Sequence, residues 1–422
     1  MLGLMSEDDR GFEGYRRGEP MTRRIEIGLL MAGLATFTLL YNTQAILPYF
    51  VRDYSISPTS AALSVSAATA GLALGLIVAA PVSERIGRVC LIRWSLLLAS
   101  VLGIGVAFVD DWSLFLAARF AMGVVLAGLP ATAAVYLREE IHPSYATSAT
   151  GLYIFGTTIG GLSARLVTTG TIDILDRLGL TEAMPLSPAH MALAATAVVS
   201  IICAAACWAL LPESRGFEPR HESPRELIRS FGRAFRDPVL LGLYLTGGLG
   251  MGVFVGAFNV LGFRLEAEPY LLSIGAIGLL YLIYPVAGTV SALAGRAADR
   301  FSLRAIMPFG SLIALIGIGL LIARPLVVII AGMAVLAMGF FIMHSLASAW
   351  VAVRAKASVG VPAQAASMYM LFYYGGSSIN GNLAPAAWEL GGWAGVTILI
   401  GAMMAAAFVI ALLLGRSRPV VT

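Results

Sequence analysis

The chain has 422 residues and a formal net charge of +4, and it is 58% hydrophobic but only 12% charged. Soluble domains carry about 25% charged residues, so the composition indicates an integral membrane protein and excludes a large soluble domain. The positive charge does not indicate a nucleic-acid partner, because the basic residues punctuate apolar segments instead of gathering on one face.

Long apolar runs predict transmembrane helices, since a bilayer core about 30 Å thick needs about 20 apolar residues per span. Twelve spans are predicted, six near residues 25–48, 59–82, 90–109, 113–137, 145–168 and 190–211, and six near residues 238–262, 272–294, 305–323, 326–348, 363–387 and 393–414. The predicted fold class is therefore an all-α membrane protein with two six-helix bundles, at residues 25–212 and 238–415.

The segments outside the bundles are polar. Residues 1–24 lack the apolar core and cleavage site of a secretory signal and are predicted to be a disordered cytoplasmic tail, with a second short tail at residues 416–422. The cysteines are Cys90, Cys203 and Cys207, and the last two have no His or acidic residue nearby. We interpret them as packing residues rather than a disulfide or a metal site.

Basic residues support an even number of spans. With both termini placed in the cytoplasm, most Arg and Lys residues fall in predicted cytoplasmic segments, as membrane topology requires. The predicted outer loops contain only Arg52, Arg177, Arg264 and Arg324.

Residues 213–237 join the bundles and contain a predicted surface helix. The sequence from Ser223 to Glu226 has the spacing of a capping box with proline at the first helical position. Leu227, Phe231 and Phe235 follow at intervals of four, opposite arginine residues. This pattern is typical of a basic amphipathic helix on the inner leaflet of a bilayer.

The two bundles are related by an offset of 215 residues. Such tandem repeats are a known plan for transporters, with the site at the midplane between the repeats. The offset maps Gln44 onto Asn259, Glu84-Arg85 onto Asp299-Arg300, and Gly160-Gly161 onto Gly375-Gly376.

Two charged loops follow the second and eighth predicted spans. An acidic residue at the end of a span can accept backbone N–H bonds from the next helix and pair with an arginine, so that the cluster latches one conformation. A charged turn that only sets topology is the alternative. The predicted gating residues are Glu84, Arg85, Gly87 and Arg88 in the first loop, and Gly295, Asp299, Arg300 and Arg304 in the second.

Two ionisable residues lie within predicted spans. A charge such as that of Arg119 costs several kcal/mol in a bilayer unless it faces protein or water, so we expect Arg119 to point inward or toward a partner, and a structural ion pair is one role it could have there. His344 has an ordinary pKa near physiological pH and could bind a proton or a polar substrate. A buried histidine held by a neighbouring hydroxyl group is the alternative.

Glycines at short intervals in the fifth span and its repeat predict close helix packing. These are Gly156, Gly160 and Gly161, with Gly375 and Gly376 in the second half, and we expect a tight seam between the halves there. The polar and aromatic residues best placed to line a substrate cavity are Asn42, Gln44, Tyr153, Asn259, Tyr373, Tyr374 and Asn380.

The two charged loops resemble the signature loop of the major facilitator superfamily, with Ala80 and Glu84 departing from the pattern in the first copy and Ser302 in the second. The segment from Leu114 to Gly123 is similar to the span-four motif of that family, in which the arginine is linked to proton coupling. Residues 151–161 look like the antiporter motif of the drug/proton exchange branch, although Thr157 replaces its proline.

The resemblance extends over most of the chain and reaches a bacterial subgroup of exporters near the sugar-efflux and drug-efflux transporters. It rests further on residues 127–131, 136–141, 261–265 and 372–375. It implies a monomer in the bacterial inner membrane that exports a drug-like molecule, a sugar or another neutral or amphipathic solute by alternating access, in exchange for protons. It implies no cofactor, and the expected partners are the solute, protons and the lipid bilayer.

Three other functions are alternatives to export. A sensor or scaffold that kept the fold but lost transport is compatible with the altered motifs, and so is a uniporter or importer of an organic solute. An intramembrane enzyme is not expected, because the sequence lacks a nucleophile with its base and a cluster of metal ligands. The absence of a phosphate-binding loop argues against ATP as the direct energy source.

Overall fold

The computed structural model describes residues 12–181, 183–217 and 224–416. Its helices are α1 (Pro20–Tyr41), α2 (Leu47–Tyr54), α3 (Pro58–Ile86), α4 (Arg88–Val106), α5 (Trp112–Leu126), α6 (Gly128–Glu140), α7 (Pro143–Arg177), α8 (Pro188–Leu210), α9 (Pro224–Arg236), α10 (Pro238–Glu266), α11 (Ile274–Leu280), α12 (Ile283–Phe301), α13 (Leu303–Leu320), α14 (Leu326–Ser358) and α15 (Pro362–Gly415).

The described helices confirm the predicted all-α membrane fold. Ten helical stretches are long and apolar enough to cross a bilayer. One of them, α15, has 54 residues and breaks at Gly391 and Gly392, so it holds two spans, since a straight helix of that length would reach about 80 Å. The more polar α7 has 35 residues and completes the twelve predicted spans.

Proline residues explain why three of the spans are broken. Proline lacks an amide donor, and its ring clashes with the carbonyl group four residues before it. Pro48 follows the short turn between α1 and α2, Pro130 follows the break between α5 and α6, and Pro285 follows the break between α11 and α12.

The repeat is visible in the backbone. Between α3 and α4, Gly87 has φ 90° and ψ 155°, and between α12 and α13, Ser302 has φ 85° and ψ 150°. The two residues are 215 positions apart, and each is followed at once by a helix. Both loops therefore make the same left-handed turn, glycine in one and serine in the other.

Contacts between helices fall mainly within each half of the chain. In the first half α1 packs on α7 and α3 on α5, and in the second half α10 packs on α15 and α13 on α14. The halves meet where α3 lies against α15 and where α7 lies against α11. The exact domain boundaries given above remain predictions.

The segment just before α1 lies against the loop between α6 and α7. The Tyr15 amide donates to the Glu140 carbonyl group at 2.7 Å, and the His142 amide donates to the Tyr15 carbonyl group at 3.0 Å. Residues 12–19 of the predicted disordered tail therefore have defined contacts, because this short backbone pairing holds them, while residues 1–11 lie outside the described part.

The predicted surface helix is present as α9. Its proposed cap, Ser223, and the side chain of Leu227 lie outside the described residues. Phe235 is 47% exposed, and its ring lies 6.4 Å from that of Phe372. The helix thus touches the second half through part of its apolar face.

Candidate functional site

The first signature loop forms a compact ion cluster around Arg88. Its guanidinium group donates to Glu84 at 2.7 Å, to Glu139 at 3.0 Å and to the Ser83 hydroxyl group at 2.6 Å. Glu139 ends the fourth span, so the cluster ties the second, third and fourth spans together. Arg85 is exposed, and the paired groups all belong to the first half.

The second signature loop is described in part. The Arg304 guanidinium carbon lies 5.7 Å from the Trp350 ring centre, and that of Arg300 lies 5.4 Å from the Phe301 ring centre. Gly295 is half-buried. The side chain of Asp299 lies outside the described residues, so its latch role stays a prediction.

A separate ion pair, which the sequence analysis missed, holds the end of α14 to the start of α10. Arg354 donates to Asp237 at 2.9 and 3.0 Å, and Asp237 also caps α10 by accepting from the amides of Val239 and Leu240. Burial raises the pKa of the Asp237 carboxyl group, but the hydrogen bonds from Arg354 and Leu240 outweigh burial and leave that pKa below its ordinary value. Asp237 is therefore a permanent anion at neutral pH.

Arg119 is fully buried, and its five N–H groups all have acceptors. They bond to the backbone carbonyl groups of Leu39, Leu40 and Ser64 and to the side chains of Asn42 and Thr43, at 2.9 to 3.4 Å. Carbonyl groups in the last turn of a helix lack intrahelical donors, and α1 ends at Tyr41.

These contacts give Arg119 a structural role as the cap of a broken span. No described carboxylate forms a salt bridge with Arg119. Asn42, expected in the cavity, belongs to this network, since it also donates to Thr196 at 2.9 Å. Proton coupling through Arg119 stays a prediction.

The predicted packing glycines fall into two groups. A Cβ atom at Gly156 or Gly160 would lie 2.6 Å from a backbone oxygen of α1, and one at Gly376 would lie 2.0 Å from the Gly248 carbonyl oxygen of α10. Gly161 and Gly375 meet no backbone that closely. The close approaches join α7 to α1 and α15 to α10, within each half rather than at a seam between the halves.

Gln44 and Asn259, which the repeat makes equivalent, bond to each other across the two halves. The Gln44 amide donates to Asn259 Oδ1 at 2.7 Å and to the Val255 carbonyl group at 3.3 Å. Asn259 in turn donates to the Gly381 carbonyl group at 3.2 Å. Both residues are buried, so they form a bridge near the axis that relates the repeats, and we call this pair the Gln44–Asn259 bridge.

Other polar links join the halves at the bundle end that lies away from residue 20 and residue 415, which we call the distal end. Arg52 pairs with Glu266 at 2.7 Å, and the Thr59 amide donates to Glu389 at 2.6 Å. Deeper in the bundle, Thr69 and Ser378 share a hydrogen bond of 2.7 Å. These contacts describe a conformation that is closed at the distal end.

Arg165, in α7, reaches the Gln44–Asn259 bridge from the side. It is 2% exposed and donates to Gln44 Oε1 and to the Gly161 carbonyl group. Three tyrosine rings surround it, with ring centres 4.9 to 5.0 Å from its guanidinium carbon. The rings are those of Tyr41, Tyr281 and Tyr284, and we call this group the tyrosine cage.

Aromatic contacts continue from the tyrosine cage to His344. Tyr284 lies 5.2 Å from Phe254, which stacks on Phe340 at 4.4 Å. Phe340 stacks on the His344 ring at 5.9 Å, and Tyr373 lies 4.5 Å from that ring. A chain of aromatic contacts within the second half therefore leads from the tyrosine cage to His344.

His344 is half-buried in α14 and shares a 2.9 Å hydrogen bond between its Nδ1 and the Tyr369 hydroxyl group. Tyr373 and Tyr153, both predicted cavity residues, are also half-buried, whereas Tyr374 is buried. Asn380 lies against Gly252, where a Cβ atom would be 2.4 Å from that of Asn380. The structure thus brings Tyr373 to His344 but places Asn380 in a helix contact.

The sequence analysis did not identify Arg165, Tyr41, Tyr281 or Tyr284 as site residues. One signal was available, because an ionisable residue inside a span indicates a functional site by default. The tyrosines gave no comparable signal, since aromatic residues are common throughout spans. In the described part of the chain, no group of three or more His, Cys, Asp and Glu residues could hold a metal ion.

Comparison with known proteins agrees with the fold. The profile of the Major Facilitator Superfamily matches residues 29–385. The inner membrane transport protein YnfM of Escherichia coli K12 is 38% identical over 400 residues, covering 95% of this chain and 91% of that protein. The uncharacterized MFS-type transporter YybF of Bacillus subtilis 168 is 35% identical over 402 residues, covering 95% and 96% of the two chains.

Solved structures with little sequence identity share the fold. A bacterial homologue of the human lysosomal transporter Spinster, inward-facing and unoccupied, superposes with a TM-score of 0.73 at 18% identity, covering 94% of this chain and 98% of that chain. The nucleoside transporter NupG superposes with a TM-score of 0.72 at 13% identity, covering 92% and 98%.

Proposed function

Because this chain belongs to the major facilitator superfamily and is a membrane transporter of that kind, we propose that it exports a small amphipathic organic molecule by alternating access, in exchange for protons. The exporting membrane is the bacterial inner membrane, with both chain termini in the cytoplasm. The distal end of the bundle then faces outward.

The observation that carries the proposal is a set of half-buried polar and aromatic side chains drawn from both repeats: Tyr153 in α7, His344 in α14 and Tyr373 in α15. Aromatic rings of the second half pack around His344, and the Gln44–Asn259 bridge joins the repeats toward the distal end. Mostly apolar surroundings with a few placed polar groups suit organic ligands. The closed distal end is one of the two conformations that alternating access requires.

His344 is the proposed proton carrier. Histidine changes charge closest to physiological pH, and the Tyr369 hydroxyl group can serve as donor or acceptor as the ring changes protonation. His344 is preferred to Arg119 for this part, because each N–H group of Arg119 already has a neutral acceptor. The glycine pattern of α7, similar to that of antiporters, supports exchange rather than symport.

Everted membrane vesicles test the proposal. The lumen is acidified by respiration, a pH-reporting dye follows the gradient, and a panel of drugs, sugars, amino acids and aromatic acids is added. We expect a transported solute to release protons from the lumen, and His344→Gln to abolish the release while still moving solute down its gradient. The matched control is His142→Gln, which changes a histidine in the loop before α7 that bonds to Ser144.

Each alternative has its own result. Solute uptake that is unaffected by the gradient would indicate a uniporter. Exit of solute from preloaded vesicles together with protons would indicate an importer. Binding without any solute movement would indicate a sensor that kept the fold.

A further inference from the structure

Arg165 is a buried charge without a counterion. Among the described residues, no carboxylate lies within salt-bridge distance of it, and its two acceptors, Gln44 and Gly161, are neutral. A buried ion that lacks a partner costs several kcal/mol. A purely structural arginine at this depth would have its donors satisfied, as Arg119 does.

Two donors in the tyrosine cage have no acceptor. Arg165 Nε and the Tyr284 hydroxyl group are both buried, and neither makes a hydrogen bond of ordinary geometry within the described part of the protein, although the guanidinium group also interacts with the Tyr281 and Tyr284 hydroxyl groups. The Arg165 guanidinium carbon lies 4.9 Å from the Tyr284 ring centre. The cage therefore combines one uncompensated positive charge with two unused donors, which is the complement of an oxygen anion.

The cage lies where the two halves meet. Tyr41 and Arg165 come from the first half, and Tyr281 and Tyr284 from the second. Gln44 connects the cage to the closed distal end, since its Oε1 accepts from Arg165 while its Nε2 donates to Asn259. A ligand that draws the guanidinium group away from Gln44 would free this amide to turn and weaken the bridge.

We propose that Arg165 and Tyr284 bind the carboxylate group of the transported molecule, and that this binding loosens the Gln44–Asn259 bridge. A planar carboxylate has two oxygens for the two unused donors, and the three rings would pack against the apolar part beside it. The inference rests on the proposed transport function, and it adds the substrate class: an amphipathic organic acid.

Ligand binding to the purified protein in nanodiscs tests the inference without transport. The probes are benzoate and phenylacetate, with benzamide and phenylacetamide as uncharged counterparts, at constant ionic strength. We expect the acids to raise the melting temperature in a saturable way and the amides to have no such effect. Arg165→Met should weaken acid binding about tenfold or more, as loss of a charged hydrogen-bond partner does.

Two further variants make the test specific. Tyr284→Phe keeps the ring and removes only the unused hydroxyl group, so it should fold normally and still weaken acid binding. Arg177→Met removes an arginine from the same helix, whose side chain is 75% exposed and paired with Asp173, and it should bind the acids as the wild type does.

The outcomes separate this inference from the proposed function. No response of the wild type to either acid, an equal response to acids and amides, or unchanged acid binding in Arg165→Met and Tyr284→Phe would each overturn the carboxylate site. Proton release driven by uncharged solutes alone would leave export intact and reject the site. If Arg165→Met and Tyr284→Phe both lose carboxylate binding, while the wild type moves no protons in vesicles, the carboxylate site is supported and proton exchange is rejected.

Discussion

The two halves repeat one backbone but differ at their first spans. In the first half, α1 ends at Tyr41 and the chain turns before α2, whereas in the second half α10 runs unbroken from Pro238 to Glu266. Arg119 supplies donors to the carbonyl groups freed by that break, and the repeat-equivalent residue is Ala334. The buried arginine at this repeat position is thus present only in the half whose first span is broken.

The same comparison separates Arg119 from Arg165. Arg165 caps no broken helix, and the second half has Asn380 at the equivalent position. The first half contributes the cation of the candidate site, and the second half contributes two cage tyrosines, His344 and the aromatic rings between them. The two repeats therefore pack in a similar way, but each contributes different residues to the candidate site.

The largest effect is expected from Arg119→Met. It removes a donor from each of five buried acceptors in the first half, so we expect the free energy of unfolding to fall by about 3–5 kcal/mol. Thermal melting in nanodiscs measures the change. Arg165→Met is the matched control, and it should change stability by about 1 kcal/mol or less, because it loses two neutral acceptors and also removes an unpaired charge. If the two variants lower the melting temperature by similar amounts, Arg119 is not the more important of the two for stability.

The ion pair of the second half gives the next effect. Position 354 is arginine where the first half has Glu139, and it pairs with Asp237. Asp237→Asn should cost about 1.5–3 kcal/mol at neutral pH, as charged hydrogen bonds do. Loss of the Arg354 contact should appear as a lower melting temperature of this variant at pH 7.

The effect of Asp237→Asn should depend on pH. The pKa of Asp237 is lower in the folded protein than its ordinary value of 3.8, so its contribution is complete above about pH 3.8 and is lost as pH falls through the folded value. The melting difference between wild type and variant should therefore shrink toward pH 3. The control is Asp110→Asn, at an exposed position. If the melting difference between wild type and Asp237→Asn grows on acidification, Asp237 does not have the lowered pKa assigned to it.

Breaking the bridge between the repeats should shift the conformational balance. Asn259→Leu removes a neutral buried hydrogen bond worth about 1 kcal/mol, which is about a fivefold change in the ratio of closed to open distal ends. Spin labels at Leu178 and Leu271, which are 64% and 67% exposed at the distal end, report the distance after the native cysteines are replaced.

The control for this measurement is Thr397→Val. Thr397 bonds only to carbonyl groups of its own helix, α15, so its loss should leave the distance distribution unchanged. An unchanged distribution in Asn259→Leu as well would show that the bridge does not hold the distal end closed.

The smallest effect concerns the matching turns of the two signature loops. Ser302 adopts φ 85° where Gly87 adopts φ 90°, and only glycine takes this conformation without a steric cost. Ser302→Gly should raise stability by about 0.5–1 kcal/mol, and Gly87→Ser should lower it by a similar amount. Chemical or thermal unfolding measures both variants. If both substitutions raise the free energy of unfolding, or both lower it, the two turns are not equivalent.

Much of the fold was predictable because it depends on local patterns. Apolar runs predicted the spans, the capping box predicted α9, and a single offset related Gln44 to Asn259 before their contact was known. The tight glycine seam was harder to place, because the pattern of Gly156 and Gly160 does not say which helix will approach.

The amino-acid sequence by itself determined the membrane environment, the twelve spans and the tandem repeat, because hydrophobicity and periodicity act along the chain. Only the tertiary structure decided which buried arginine is satisfied. Arg119 and its acceptors lie 55 to 80 residues apart, and Arg165 meets Gln44 from 121 residues away. Burial and hydrogen bonding depend on spatial neighbours, so the same residue type is a helix cap in one place and a candidate anion site in the other.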